Sequence, residues 1–162
     1  MNTNLPAYAL GSEEGEAFWF FGVLVTVKAS AEQSGWRFAL TEQLFPKGMA
    51  TPLHVQFEDE ESFYVLEGEL TFYLEDGQPI PATAGSFVHV PAGVAHAFQV
   101  DSDTARVLNV TTAQHERFFR ATSDPAQTRI IPPEAPPDME RIMTAAQDYG
   151  VEILGPPPGS QA

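Results

Sequence analysis

The sequence predicts an all-β fold, and three observations support this prediction. Short segments rich in Val, Phe, Tyr, Leu and Thr follow one another from Ala17 to about Thr111, as expected of strands. The breaks between them carry turn residues, such as Ser34-Gly35 and Glu67-Gly68. Many short strands at regular spacing are typical of a sandwich or a barrel.

The individual elements follow from the same signals. Strands are predicted over residues 17–28, 36–45, 52–56, 61–66, 69–75, 86–90, 95–100 and 104–111. Further turns are expected at 46–48, at Asp76-Gly77, at 84–85 and at 91–93.

After residue 111 the pattern changes to that of a mixed extension. A short helix is predicted from about Thr112 to 123, and residues 124–137 form a proline-rich arm. A second helix is predicted to end at Gly150. Its packing face is expected to comprise Met139, Ile142, Met143, Ala146 and Tyr149. The tail from Val151 is expected to be extended and then frayed.

Composition limits the class of protein. The chain has 162 residues, of which 43% are apolar, which suits one folded domain over residues 1–162. We expect the barrel core at about 17–111 and the helical and proline-rich extension at 112–162. The absence of cysteine excludes disulfides, thiolate zinc sites and a cysteine nucleophile.

Charge and hydropathy argue against two kinds of partner. The formal net charge is −14, and such a surface repels nucleic acid and anionic lipid. The longest apolar run, residues 17–27, is too short to cross a bilayer. The N-terminus lacks a basic region followed by an apolar run, so a cytoplasmic location is expected.

Two segments place polar donors where they can converge. Residues 48–68 read GMATPLHVQFEDEESFYVLEG, in which His54 and Gln56 point to one face of a strand. Glu61 follows a short polar connection, so three donors are expected to converge from two adjacent strands. Residues 85–100 read GSFVHVPAGVAHAFQV, in which His96 shares the parity of inward apolar residues. A lone histidine there is more often a core residue.

The spacing of both segments resembles the two signature motifs of the cupin superfamily, G-x5-HxH-x3,4-E-x6-G and G-x5-PxG-x2-H-x3-N. The matching positions are Gly48, His54, Glu61, Gly68, Gly85, Pro91, Gly93 and His96. Gln56 departs from the second histidine and Val100 from the final asparagine. The segments WFFGVLVTVKAS, SFYVLEGELTFYLEDG and VEILGPPP look like the single-domain, quercetin 2,3-dioxygenase-like branch.

The resemblance implies a double-stranded β-helix, the cupin jelly-roll barrel, with a short C-terminal helical extension. It also implies one divalent metal ion (Fe, Mn, Ni, Co or Zn) held by His54, Glu61 and His96, with Gln56 in the fourth place. Glutamine is neutral like histidine, but its oxygen is a poorer donor for late transition metals. Two histidines and one carboxylate still suffice for non-haem iron chemistry. Gln56 ligates the metal, contacts a bound water or hydrogen-bonds substrate, and the sequence leaves these alternatives open.

The implied function is a metal-dependent dioxygenase of quercetinase-like type, acting on a flavonol or similar enolisable aromatic molecule. Glu61 would be its base, and Phe63, Phe72 and Phe98 are expected to line an apolar pocket. The alternative is a non-catalytic, small-molecule-binding cupin with a degenerate metal site, which the missing histidine favours. We also expect a homodimer, with the 17–27 segment and the C-terminal extension covering strand edges across a two-fold axis.

The remaining polar candidates have structural interpretations. His89 does not share the parity of the motif residues and is expected to be structural or exposed. His115 stands beside Glu116 and Arg117 in the first helix, which favours a solvated face. The acidic run at residues 58–60 is typical of a solvated turn. The sequence contains no nucleophile elbow and no phosphate loop.

Overall fold

The computed structural model describes residues 5–75 and 78–160, and in these ranges the chain forms two facing antiparallel sheets with two short helices. The strands are β1 (Glu16–Phe20), β2 (Val23–Ala29), β3 (Ala39–Pro46), β4 (Leu53–Gln56), β5 (Glu61–Glu67), β6 (Glu69–Leu74), β7 (Gln78–Thr83), β8 (Phe87–Val90), β9 (His96–Val100), β10 (Thr104–Thr111), β11 (Asp124–Pro125) and β12 (Val151–Gly155). A 3-10 turn, Ala113–His115, leads into α1 (Glu116–Thr122), and α2 (Met139–Asp148) precedes β12.

The strand order is that of a jelly roll, which confirms the predicted fold class. One sheet has the order β11-β1-β2-β3-β10-β5-β8 and the other β12-β4-β9-β6-β7. Between β3 and β6 each strand lies in the opposite sheet from the strand before it. The inner faces of both sheets therefore meet around a common interior, which holds the main hydrophobic core.

One half of this interior is closed by aromatic side chains. Phe63, Phe72 and Phe98 are at most 6% exposed, and their ring centroids are 5.2, 5.4 and 5.7 Å apart. Contacts at this distance between buried rings are stabilising. The expectation that these three residues line an open pocket is therefore wrong, because their rings pack against one another instead.

Several strands differ from the prediction for local reasons. The predicted strand 17–28 is a hairpin, turning at Phe21 and Gly22, both with positive φ. β7 was not predicted because it contains Pro79 and Pro81. It is the edge strand of its sheet, where the missing N–H groups of proline are tolerated. The predicted turn at Asp76-Gly77 lies outside the described residues.

The C-terminal extension packs on its own barrel. β12 pairs with β4, so the tail is a strand at its start, and β11 pairs with β1. The helix α2 is confirmed and is capped by the Asp138 side chain, which accepts from the Arg141 amide. Its buried residues are Ile142, Ala145 and Ala146, whereas Met139 and Met143 are half exposed. The packing face is thus rotated from the predicted one.

Two strand edges are paired within the chain by the C-terminal extension. The strand formed by residues 16–20 is flanked by β11, and the exposed side of β4 by β12. Neither described helix has the length and hydropathy needed to span a membrane.

Candidate metal centre

The two motif segments come together across the barrel interior. β4 carries His54 and Gln56, and its neighbour β9 carries His96, which is paired directly with His54. Glu61 begins β5 in the opposite sheet. The expected convergence from two adjacent strands is therefore wrong in detail, because the jelly-roll crossover places Glu61 on the facing sheet. One ligand atom each of His54, Glu61 and His96 lie within 4.8 Å of one another.

Both imidazoles present the same nitrogen to this cluster. Nδ1 of His54 lies 2.8 Å from the Pro52 carbonyl oxygen, and Nδ1 of His96 lies 3.0 Å from that of Val94. A carbonyl oxygen only accepts, so each Nδ1 carries a proton, and Nε2 is the nitrogen left to face a bound group. This arrangement, in which the outer nitrogen is held by the backbone, is typical of metal-ligating histidines. The donor set fits a divalent metal ion.

The Glu61 carboxylate is buried and held by three nitrogen atoms. Oε2 lies 2.9 Å from Gln56 Nε2 and 3.1 Å from His96 Nε2, and Oε1 lies 3.3 Å from Asn109 Nδ2. Burial alone raises the pKa of this carboxyl. The hydrogen bond from His96 and the charges of the neighbouring histidines outweigh burial and lower the pKa to about 2. Glu61 is therefore ionised at neutral pH.

The surroundings shift the pKa values of the two clustered histidines in opposite directions. Burial, followed by the charge of His96, lowers the pKa of His54 to about 4. Burial also acts to lower the pKa of His96, but its hydrogen bond to Glu61 and the charge of that carboxylate raise it on balance. Because Nδ1 of His96 already donates to Val94, the contact between Nε2 and the carboxylate requires a shared positive charge. A proton or a metal ion meets that requirement.

Gln56 faces the carboxylate through its nitrogen. A carboxylate only accepts, so the amide nitrogen must be the atom that lies 2.9 Å from Glu61 Oε2. The amide oxygen, Oε1, is buried without a hydrogen-bond partner among the described residues. Unpartnered buried oxygens of this kind are uncommon in folded proteins, so Oε1 is a candidate fourth donor to a bound group.

The structure adds His115 and Asp59, which sequence reasoning assigned to solvent. His115 is 2% and Asp59 is 5% exposed, so both expectations are wrong. Nε2 of His115 lies 3.3 Å from Gln56 Nε2 and 3.8 Å from Glu61 Oε1, while Nδ1 lies 3.6 Å from Asp59 Oδ2. One sequence signal was available, because His115, Phe118 and Phe119 share one helical face, and both phenyl rings contact the imidazole.

Further polar residues extend the cluster along the inner face of one sheet. Asn109 donates to Glu61, and Gln43 donates to Asn109 at 3.3 Å and to Thr41 at 3.1 Å. Thr41 and Gln43 lie at inward positions of β3, and Asn109 lies at an inward position of β10. The period of two along a strand would have placed them on the inward face. His89, in contrast, is exposed on β8 and lies 2.9 Å from Ser62 Oγ, as expected of a residue outside the site.

Comparison with known proteins agrees with the fold. The profile of the family described as Cupin domain (Cupin_2) matches residues 41–111. A quercetin 2,3-dioxygenase of Bacillus subtilis (strain 168) is 30% identical over 160 residues, covering 95% of this chain and 47% of that protein. The chain thus spans about half the length of this curated relative.

Two solved structures show the same fold. A predicted oxalate decarboxylase from Thermotoga maritima superposes with a TM-score of 0.60 at 20% identity, covering 65% of this chain and 98% of that one. A putative sugar phosphate isomerase from Acidithiobacillus ferrooxidans has a TM-score of 0.51 at 25% identity, covering 64% of this chain and 73% of the other. The names of these two proteins refer to different reactions, so the structural similarity supports the fold and not one activity.

Proposed function

Because this chain belongs to the cupin family through the domain at residues 41–111, we propose that it is a metal-dependent dioxygenase of quercetinase-like type. Its substrate would be a flavonol or a similar enolisable aromatic molecule. The observation that carries this proposal is the cluster of His54, Glu61 and His96, whose ligand atoms lie within 4.8 Å of one another. The 30% identity to a quercetin 2,3-dioxygenase over 95% of the chain supports the substrate class.

His54, Glu61 and His96 would hold one divalent ion, with the free oxygen of Gln56 as a fourth donor. The set is neutral apart from one carboxylate and suits Fe, Mn, Ni, Co or Zn. When bound, the ion would supply Lewis acidity to a substrate hydroxyl and coordination positions open to exchange. Which metal ion is bound depends on the coordination geometry and on metal availability more than on the donor types alone.

Glu61 would act as the proton acceptor. Its pKa of about 2 keeps it ionised, and its hydrogen bonds to Gln56 and Asn109 fix the position of both oxygens. A carboxylate of such low pKa is a weak base. It therefore suits a hydroxyl that is already acidified, as the enolic hydroxyl of a flavonol would be at this centre.

The exposure of the three candidate ligands favours one side of the cluster for the approach of substrate. Glu61 and His96 are 5% and 1% exposed, whereas His54 is only partly buried. The packed rings of Phe63, Phe72 and Phe98 close the apolar half of the interior. A planar ligand would consequently reach the centre from the side of His54.

Oxygen consumption in the presence of quercetin tests the proposal. Metal-free protein is loaded separately with Fe, Mn, Ni and Co, and loss of the long-wavelength absorbance of the flavonol is followed together with dissolved oxygen. Glu61→Gln is expected to lose most of the rate, because an amide cannot accept the proton. The matched control is Glu58→Gln, a change of an exposed carboxylate in the same connection. Metal content is measured for every sample, since Glu61→Gln also removes a ligand.

The alternative is a small-molecule-binding cupin without turnover. The observation in its favour is that Gln56 and Asn109 already satisfy both oxygens of Glu61 from within the chain. Metal analysis of protein purified without chelator separates the two functions. Binding of flavonols with no oxygen consumed over hours, for all four metals, would replace the dioxygenase proposal with this one.

A further inference from the structure

His115 contacts Gln56 from the 3-10 turn that precedes α1. Its ring is buried against Phe118 and Phe119, at centroid distances of 5.5 and 4.8 Å. Its two nitrogens are therefore the only polar part of a side chain that is otherwise enclosed. Nδ1 faces Asp59 at 3.6 Å and Nε2 faces the Gln56 nitrogen at 3.3 Å.

The hydrogen positions follow from the partners of these atoms. Nδ1 of His115 lies 3.6 Å from Asp59 Oδ2, which is longer than a hydrogen bond, and it has no hydrogen-bond partner among the described residues. The negative charge of the Asp59 carboxylate favours the tautomer that carries the proton on this nitrogen. Nε2 then presents a lone pair, and the nearest donor is an N–H of Gln56. The second N–H of the same amide is donated to Glu61 at 2.9 Å. Both hydrogens of the Gln56 amide are thus used, and its orientation is determined.

His115 does not join the three clustered ligands itself. Its Nε2 is 3.8 Å from Glu61 Oε1, but it is not part of the group whose atoms all lie within 4.8 Å of one another. The Gln56 nitrogen lies closer to it than the carboxylate does. The contact by which His115 can orient a donor of the centre is therefore the one with Gln56.

We propose that His115 and Asp59 are positioning residues that hold the Gln56 amide with its nitrogen toward Glu61 and its oxygen free for the bound metal or its ligand. The inference rests on the metal centre proposed above. In this arrangement the imidazole that the cupin motif places at position 56 is replaced by that of His115, which contacts Gln56 and lies outside the three clustered ligands. The arrangement engages both N–H groups of Gln56, with Glu61 and with His115, so that the amide oxygen is the atom left for a bound group.

The tautomer of His115 gives a direct test in the wild-type, metal-free chain. The protein has four histidines, so nitrogen-15 NMR of the imidazoles can be assigned with single variants. His115 is expected to be protonated at Nδ1. Asp59→Asn, whose amide can donate to Nδ1, is expected to move a part of the population to the Nε2-protonated form. A wild-type His115 protonated at Nε2 would overturn the proposal, and this result needs no variant to fold.

A double-mutant cycle on cobalt affinity tests the path through Gln56. His115→Phe keeps the aromatic packing, and Gln56→Leu keeps the volume. His115→Phe is expected to weaken binding of Co²⁺ about tenfold, the lower end of the effect of groups that orient ligands. In the Gln56→Leu background the same change is expected to have no further effect. His89→Phe, at an exposed imidazole, is the matched control and is expected to leave the affinity unchanged.

Independent effects in the cycle, in which the two fold-changes multiply, would refute positioning through Gln56. An unchanged affinity in His115→Phe would refute it as well. If wild-type protein takes up no cobalt, the metal centre of the proposed function fails. The tautomer measurement still decides the role of His115, because it depends on neither metal nor turnover.

Discussion

His54 is expected to make the metal-free protein sensitive to mild acid. Its pKa in the folded protein is about 4, against 6.5 in the unfolded chain, because of burial and the charge of His96. Between these values the unfolded chain binds a proton that the folded protein does not. Stability therefore falls as the pH falls from 6.5 to about 4, and it is unaffected by this group at higher pH.

The size of the effect follows from the same interval. A difference from 6.5 to about 4 corresponds to about 3 kcal/mol of folding free energy at the acid limit. His96 acts in the opposite direction, because its raised pKa adds stability as the pH falls through that pKa. The pH dependence of wild-type stability alone therefore reports only the difference between the effects of His54 and His96. The contribution of His54 is isolated by subtracting the curve of His54→Leu, which occupies the same half-buried position without titrating.

Urea unfolding followed by the fluorescence of Trp19 and Trp36 measures this difference. Protein is kept in chelator, and the free energy of unfolding is compared at pH 7, 6, 5 and 4.5 for wild type and His54→Leu. The stability of wild type relative to His54→Leu is expected to fall with the pH, by up to about 3 kcal/mol. Parallel curves, or an NMR titration of His54 with its midpoint near 6.5, would refute the reasoning. A confirmed low pKa means that His54 is the neutral, ligating imidazole throughout the physiological range.

Four other predictions concern the centre, the barrel and the assembly. His96→Ala is expected to abolish stoichiometric metal by mass spectrometry, and equal metal in wild type and variant would place the site elsewhere. Gln56→His is expected to raise the affinity for nickel, cobalt or zinc in titration calorimetry. Gly68→Ala is expected to cost at least about 2 kcal/mol in urea unfolding, because φ is +88° and a Cβ would lie 2.4 Å from the Thr104 oxygen. Gly48→Ala, which has positive φ but nothing within 4 Å of its Cβ, is the control and is expected to cost less. Light scattering is expected to show a homodimer, and a stable 17.7 kDa species at micromolar concentration would contradict it.

The resemblance of the motif spacing to that of cupins predicted four residues that lie close together in the structure. Fixed distances along the chain and the period of two along strands identify His54, Gln56, Glu61 and His96, and the structure brings these four together. The same rules could not show that Glu61 faces the others across the barrel. Which sheet a strand joins depends on pairing between distant segments, and local sequence does not encode such pairing.

The outer part of the site had a weaker signal in the sequence. His115 is followed by Glu116 and Arg117, so its local sequence resembles a solvated helix. It is buried because the 3-10 turn Ala113–His115 packs back over the barrel opening near Gln56. Similarly, β12 could not be predicted from the tail, because its partner is β4, about a hundred residues earlier. Elements whose burial is created by tertiary contacts leave little trace in local patterns.

Glutamine at position 56 matches the hydrogen-bonding demand of its surroundings better than histidine would. Two acceptors, Glu61 Oε2 at 2.9 Å and, in the tautomer proposed above, His115 Nε2 at 3.3 Å, face a single atom of Gln56. An amide nitrogen has two hydrogens for them, whereas a neutral imidazole has one N–H in total. If the imidazole introduced by Gln56→His ligates a metal through one nitrogen, its other nitrogen can donate a hydrogen bond to only one of these acceptors.

The gain in metal affinity expected for Gln56→His is therefore accompanied by a loss of stability in the metal-free protein. A lost hydrogen bond to a buried carboxylate costs about 1.5–3 kcal/mol, and urea unfolding in chelator is expected to show a decrease of that size. The combined variant Gln56→His with His115→Phe removes the second acceptor, so part of the loss is expected to be recovered. Equal stability of wild type and Gln56→His would show that the contacts of Gln56 with Glu61 and His115 contribute nothing to folding. In that case the glutamine would be a replaced ligand and nothing more.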